Sequence, residues 1–217
     1  MQTISVIGGT GELGSGLAMR WVKAGIPVII GSRDAERAQE AAGQLNQTSG
    51  SELARGMDNL AAAEAGDIVV LTVKFDHYRD TLEQLKPALQ GKIMIDTTVP
   101  LVPPKVAKVQ LPAEGCAAVI GQEIVGENCA VVSAFQNVSA ASLKHDNANC
   151  DVLVTGNSPE AREQVIELAA AAGFKGWHAG PLANSAAAEA LTSLLIFMNK
   201  KYKSYHAGIV ITGLDED

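Results

Sequence analysis

Ile4-Ser5-Val6-Ile7-Gly8-Gly9-Thr10-Gly11-Glu12-Leu13-Gly14 is the stretch that decides the fold of this 217-residue chain. A short apolar run leads into glycines spaced G-x-G-x-x-G (Gly9, Gly11, Gly14), and Leu17, Ala18, Trp21 and Val22 then recur at helical spacing. Strand, tight glycine turn and helix, in that order, form the context in which this common spacing marks a dinucleotide-binding loop. Gly9 is expected to make the turn, Gly11 to let the backbone approach a pyrophosphate, and Gly14 to let the helix pack closely on the strand. The start of that helix offers N–H groups and a partial positive charge to the phosphates.

Outward from the loop, Pro27-Val28-Ile29-Ile30-Gly31 is a second short buried strand, and its end bears on the choice of cofactor. A site selective for NAD places an acidic residue there, about 20 residues beyond the glycines, to accept hydrogen bonds from the ribose 2′-OH. This chain has Gly31-Ser32-Arg33-Asp34, with Arg37 one helical turn further on. Ser32 can hydrogen-bond a 2′-phosphate, and the two guanidiniums can pair with its charge. Asp34 is also a natural cap for the next helix. Capping does not account for two arginines at the adenosine end, so NADP is expected rather than NAD.

Further helices are expected over 34–45, 59–65, 77–90, 115–125, 158–172 and 181–200, and strands over 67–73, 92–97, 130–135, 151–156 and 174–177. The polar stretch 46–58 and the proline-punctuated stretch 101–112 are expected as connections. The alternation predicts an α/β fold: a doubly wound, mostly parallel Rossmann sheet covered on both faces, with a small C-terminal helical extension. Residues 1–150 are expected to form the NADP-binding part. Residues 151–217 are expected to complete the sheet and carry the final helix and tail, as an extension or as one domain with the rest. The strand ends at Val73-Lys74-Phe75 and Thr97-Thr98 should border the nicotinamide crevice. Roughly 40 residues follow the last expected strand, too few for a separate helical substrate domain.

Composition narrows the function classes. With 24 acidic and 17 basic residues the net charge is −7, which disfavours non-specific nucleic-acid binding through phosphate neutralisation. No apolar run approaches the ~20 residues needed to span a bilayer, and no basic leader precedes the first strand, so a cytoplasmic protein is expected. Cys116, Cys129 and Cys150 lack C-x-x-C spacing and should be reduced thiols. His77, His145, His178 and His206 are scattered, and no metal site is expected. There is no Tyr-x-x-x-Lys pair and no visible nucleophile set, so no catalytic residue is assigned. Hydride exchange between two bound carriers needs only alignment of their rings, because the carriers supply the reactivity.

The glycine loop combines with Gly31-Ser32-Arg33, Leu71-Thr72-Val73, Val132-Ser133-Ala134 and Ala179-Gly180-Pro181-Leu182-Ala183-Asn184-Ser185. With these segments the chain resembles, over nearly its whole length, the small coenzyme F420-dependent NADP oxidoreductases. The resemblance implies reversible hydride transfer between NADP(H) and the deazaflavin F420 as co-substrate. It places Thr10, Gly11, Glu12 and Leu13 on the pyrophosphate loop, which Gly9 opens by the glycine spacing, and Ser32, Arg33 and Arg37 around the 2′-phosphate. It sets Phe75 against the cofactor after the strand that ends at Val73, Ala140 near the nicotinamide, and Ala207 near the deazaflavin, while Thr98 is a cofactor candidate from its place at a strand end. Lys74-Phe75 stands where archaeal members have Pro-Trp, and Gln136-Asn137 where they have His-Thr. Both pairs fall on the deazaflavin side, which makes Lys74, Gln136 and Asn137 substrate-side candidates. The anionic tail of F420 would suit a patch of Lys200, Lys201 and Lys203 with Lys74, although three lysines at a helix C-terminus also complement its dipole. The resemblance favours a homodimer, with Leu191, Leu194, Leu195, Phe197 and Met198 of the final helix either in its interface or in the core. Two alternatives stay open: an NADPH-dependent reductase of another flavin, a carbonyl or an imine, and a non-catalytic NADP sensor.

Overall fold

The computed structural model describes residues 2–144 and 149–214. Strand β1 (Ile4–Ile7) runs into the glycine turn, and helix α1 (Glu12–Lys23) leaves it. There follow β2 (Val28–Ser32), α2 (Ala35–Ser49), β3 (Ala54–Asp58), α3 (Asn59–Ala65), β4 (Ile68–Leu71), α4 (Tyr78–Leu85) and β5 (Ile93–Asp96). After a long loop come α5 (Ala117–Val125), β6 (Ala130–Ser133), β7 (Asp151–Gly156), α6 (Pro159–Ala171), β8 (Lys175–His178) and α7 (Ser185–Tyr202). The strands lie in the order β3-β2-β1-β4-β5-β6-β7-β8. Strands β1 to β6 are mutually parallel, β7 runs antiparallel to β6, and β8 is parallel to β7. The winding direction reverses between β1 and β4, and that reversal is where such a sheet opens a ligand crevice at the carboxyl ends of its strands.

Every residue of β1, β2 and β4 is buried. Successive side chains on a strand point to opposite faces, and here each face meets a helical layer, so the strands are continuous apolar runs. Val6, Ile30, Val70 and Ile95 join Trp21, Phe135 and Phe174 in one layer of the core. Their neighbours Ile7, Ile29, Val69 and Met94 join Leu82, Leu85 and Ile120 in the other. Helix α2 is capped by Asp34, which accepts from the N–H groups of Glu36 (3.0 Å) and Arg37 (3.3 Å). Helix α6 is capped by Ser158 through the N–H of Ala161 (3.1 Å), with Pro159 in its first turn. The three cysteines are free and buried, and burial pushes the Cys129 thiol up to about 12.

Several expectations need correcting. The stretch 46–58 is not all connection: it contains β3, the edge strand, whose five residues are mostly half-buried or exposed and so lack an apolar run. The helix expected over 77–90 is shorter. It is preceded by a 3-10 turn at Phe75–His77 and gives way to another at Lys86–Leu89, where Pro87 has no N–H to extend the ladder. The final helix starts at Ser185, after a 3-10 turn at Leu182–Asn184, rather than at Pro181. Strand β7 pairs with β6, so the segment after residue 150 continues the same sheet, as expected.

Candidate active site

A cleft of about 300 Å³ opens over the carboxyl ends of β1, β2 and β4. Thr10, Gly11, Ser32, Arg33, Arg37, Val73 and Lys74, site candidates from the sequence, line it together with Gly8, Asp34, Asn59, Thr72, His77 and Thr81, which the sequence did not single out as site residues. Gly8 and Gly9 make the turn together: Gly8 has φ +75° with a Cβ position 2.9 Å from the Thr72 carbonyl oxygen, and Gly9, whose N–H donates to the Val6 carbonyl (3.1 Å), has a Cβ position 2.7 Å from that same Val6 oxygen. A left-handed residue packed against backbone has to be glycine. Gly14 behaves as expected, since a Cβ on it would come within 2.6 Å of Thr72 Oγ1 and 2.9 Å of the Gly9 Cα. Thr72 Oγ1 cannot retreat without losing its bond to the Ile7 carbonyl (2.8 Å). Helix α1 thus abuts the strand ends with Gly11 as its N-cap and no side chain covering its start. Glu12 and Leu13 occupy its first turn, where N–H groups stand free for an anion.

At the β2 end, Ser32 is buried and its hydroxyl oxygen accepts from the Asp34 N–H (3.2 Å), which leaves its own proton available to an incoming oxygen. Asp34 Oδ1 caps the start of α2, which commits one of its two carboxylate oxygens to that helix. Arg33 and Arg37 are exposed at the cleft and form no ion pair among the described residues. This arrangement suits a doubly charged 2′-phosphate.

The opposite end of the crevice lies beyond β4 and β5. Phe75 stacks on Tyr78, with ring centroids 5.9 Å apart. The Tyr78 hydroxyl, fully buried, contacts the Asp96 carboxylate and the Ala117 carbonyl (2.9 Å), and Asp96 also accepts from the Thr98 N–H (2.9 Å). Thr98 is itself buried. After β6 the chain bends sharply at Phe135, a non-glycine residue with φ +70°. This turn buries Gln136 and Asn137: Gln136 donates to the Asp96 carbonyl (2.8 Å) and Ser133 Oγ (2.7 Å), and Asn137 donates to the Ala188 carbonyl of α7 (2.8 Å). Their amide N–H groups are therefore engaged inside the protein, tying β5 and α7 to the strand end. Ala140 follows, half-buried, and Ala207 of the tail, also half-buried, donates its N–H to Asn199 Oδ1 (3.1 Å).

Behind this wall, Glu189 of α7 is 1% exposed and accepts from the N–H groups of Ala117 (2.7 Å) and Ala118 (3.1 Å), so α7 caps the start of α5. Burial pushes the Glu189 carboxyl up to about 8, with Asp96 adding repulsion, and burial also raises Asp96. The folded state therefore holds these protons more tightly than the unfolded chain. The sign follows: their stabilisation is complete below the ordinary carboxylate range and is lost as pH rises towards about 8. Melting temperature should fall from pH 5 to pH 8, by up to about 4 kcal/mol in stability. Glu189→Gln, which does not titrate, should flatten that slope in melts at three pH values. An unchanged slope would exclude Glu189 as its source.

Comparison with known proteins identifies relatives of the whole chain. Residues 3–100 match the family model for NADP oxidoreductase, coenzyme F420-dependent. The chain is 41% identical over 222 aligned positions to the F420-dependent NADP reductase of Methanocaldococcus jannaschii, covering 98% of this chain and 99% of that one. It is 37% identical to the F420-dependent NADP reductase of Methanothermobacter thermautotrophicus, covering 98% and 96%. A solved structure from Arthrobacter sp. FB24 has the same fold, with a TM-score of 0.79 at 20% identity over 98% of this chain and all of that one. The glycine loop, the arginine pair and full-length similarity converge on one assignment: the chain belongs to the family of coenzyme F420-dependent NADP oxidoreductases.

Proposed function

We propose that the protein transfers a hydride between NADP(H) and coenzyme F420, NADPH + F420 + H⁺ ⇌ NADP⁺ + F420H2. The observation that carries this reading is the cleft with Ser32, Arg33 and Arg37 at one end and the α1 N-terminus at its centre, in a chain so similar to F420-dependent NADP reductases. The nicotinamide supplies the hydride. Thr10, Gly11, Glu12 and Leu13 hold the pyrophosphate, with Gly9 packed beneath them, and Ser32, Arg33 and Arg37 grip the 2′-phosphate. Val73, Phe75, Thr98 and Ala140 border the nicotinamide. Lys74 stands exposed on the cleft rim, placed to meet an anionic acceptor. Gln136 and Asn137 shape the acceptor side from inside the wall, and Ala207 faces the acceptor from the tail. The protein's part is to align two rings and exclude water between them, which lowers the barrier by pre-paying orientation.

NADPH oxidation should accordingly bleach F420 in its visible band and should be slow or absent with free flavins, carbonyls and imines. No F420 reduction above background in such a panel overturns the reading.

We further propose a cytoplasmic homodimer formed through α7. Leu194, Phe197, Met198 and Tyr202 are 48, 57, 45 and 72% exposed, an apolar surface of a kind that monomers rarely leave open. No helix of the described residues is long and apolar enough to cross a membrane, so a lipid-spanning role does not explain that surface. Sedimentation should give twice the 22.6 kDa chain mass, and Phe197→Asp should give the monomer.

A further inference from the structure

After α7 the chain returns across the molecule as a strap, residues 205–211, pinned at four points. Ser139 Oγ donates to the Tyr205 carbonyl (2.6 Å), and the Ala207 N–H donates to Asn199 Oδ1 (3.1 Å). The Asp151 N–H donates to the Ile209 carbonyl (2.7 Å), and the Asp151 carboxylate accepts from the Ile211 N–H (2.7 Å). The same carboxylate oxygen accepts from Trp177 Nε1 of β8 (2.8 Å). Asp151 is 7% exposed, so these bonds form away from competing water. The strap lies close against the protein: a Cβ on Gly208 would come within 2.6 Å of the Cys150 Cβ.

Topology says where the strap stands. Strand β6 runs parallel to β1–β5, so its carboxyl end faces the crevice. Strand β7 is antiparallel, with Ser133 opposite Thr155, and its first residue, Asp151, therefore lies beyond that carboxyl end, on the crevice side. The adenosine half of the cofactor site lies over β1 and β2, on the far side of the switch point. The strap and the Ser139–Ser142 segment it touches border the remaining end. That segment also leans on the nucleotide-binding helix, with Leu143 packed against Gly16 and the Ser142 carbonyl accepting from Arg20 (3.4 Å).

We infer that Asp151 is a positioning residue whose carboxylate fixes the Tyr205–Ile211 strap as a wall of the acceptor site; the inference rests on the function proposed above. Asp151 lies outside the lining of the nucleotide cleft. It acts by holding Ala207 and its neighbours at a set distance from the second ring.

The test compares the full-length wild type with Asp151→Ala, Asp151→Asn, Ile211→Pro and Trp177→Phe. Ile211→Pro removes the strap's N–H donor without altering the sheet, and Trp177→Phe removes the other bond to the same carboxylate while leaving the strap's bond in place. Expected for Asp151→Ala and Ile211→Pro are a KM for F420 raised about tenfold, kcat within about threefold and NADPH Kd within about twofold. Trypsin should also cut faster after Lys200, Lys201 and Lys203. Asp151→Asn should fall between these and the wild type, and Trp177→Phe should leave the KM unchanged. An unaltered KM in Ile211→Pro with a protease-sensitive tail overturns the inference. So does equal loss of F420 and NADPH affinity, the mark of general damage. A wild type that reduces no F420 overturns the functional reading and the inference with it, whereas an active wild type with insensitive variants removes only the inference.

Discussion

Gly14→Ala is expected to weaken NADPH binding by about 100-fold or more, while Gly43→Ala, the same change one helix later, makes the protein more stable. At Gly14 the added methyl meets Thr72 Oγ1 at 2.6 Å and the Gly9 Cα at 2.9 Å, and both are fixed, one by its bond to the Ile7 carbonyl and the other by the turn. The relief available is for α1 to move away from the strand ends. That costs about 1–3 kcal/mol of packing and displaces the N–H groups that receive the pyrophosphate. A 100-fold loss corresponds to ~2.7 kcal/mol of binding, a reasonable share for a displaced anion site. At Gly43, inside α2, a methyl meets nothing within 4 Å. There the only effect is the helix propensity gained, about 0.5–1 kcal/mol. Calorimetric titration with NADPH and thermal melts of both variants decide the matter. Wild-type NADPH affinity in a folded Gly14→Ala protein would show that the cofactor does not bind at the start of α1.

The contrast between these glycines also shows what could be read in the chain and what could not. Largely apolar runs betrayed β1, β2, β4 and β5, because a strand buried on both faces carries few polar positions, here Ser5, Ser32 and Asp96. Strand β3, Ala54-Arg55-Gly56-Met57-Asp58, carries no such run. It sits at the sheet edge, and its pairing with β2 is a fact about β2's backbone. The turn needs Gly8 as well as Gly9, because the loop also fits a G-x-x-G-x-x-G spacing through Gly8, Gly11 and Gly14, and spacing alone cannot say which glycine must be left-handed. The reversal of β7 had a signal that went unused: no helical pattern separates β6 from β7, and a parallel partner would need such a crossover. Gln136 and Asn137 are substrate-side candidates through the resemblance, and the structure sets both just after β6 with their side chains buried. Their engagement with the Asp96 carbonyl and with α7 depends on partners roughly 40 and 50 residues away. No local pattern encodes such pairings, and the Asp151–Ile211 bond is of the same kind.

Cofactor choice rests on the end of β2, and the double variant Arg33→Ala/Arg37→Ala should lose about 100-fold in NADPH affinity with NADH affinity unchanged. A 2′-phosphate brings nearly two negative charges and three acceptor oxygens, and each charge-assisted bond contributes about 1.5–3 kcal/mol where it is shielded from water. Both guanidiniums here are exposed, so the lower end of that range applies, about tenfold for each single variant. Asp34 sharpens the contrast. Its Oδ1 is committed to the N–H groups of Glu36 and Arg37, which holds the carboxylate at the helix start, so removing the arginines should not convert the site to NAD. Ser32 remains, with its proton free to donate, and should keep a residual preference for the phosphate. Because the protein carries a net charge of −7, the two arginines work against a repulsive background. NADPH affinity in the wild type should therefore fall steeply as ionic strength rises and the attraction is screened over about 10 Å. The double variant should show almost none of that salt dependence. Titrations of both nucleotides at low and high salt, on wild type and variant, give four affinities. If the variant loses NADPH and NADH equally, the arginines are holding the loop rather than the 2′-phosphate, and the basis of NADP selectivity must be sought elsewhere in the cleft.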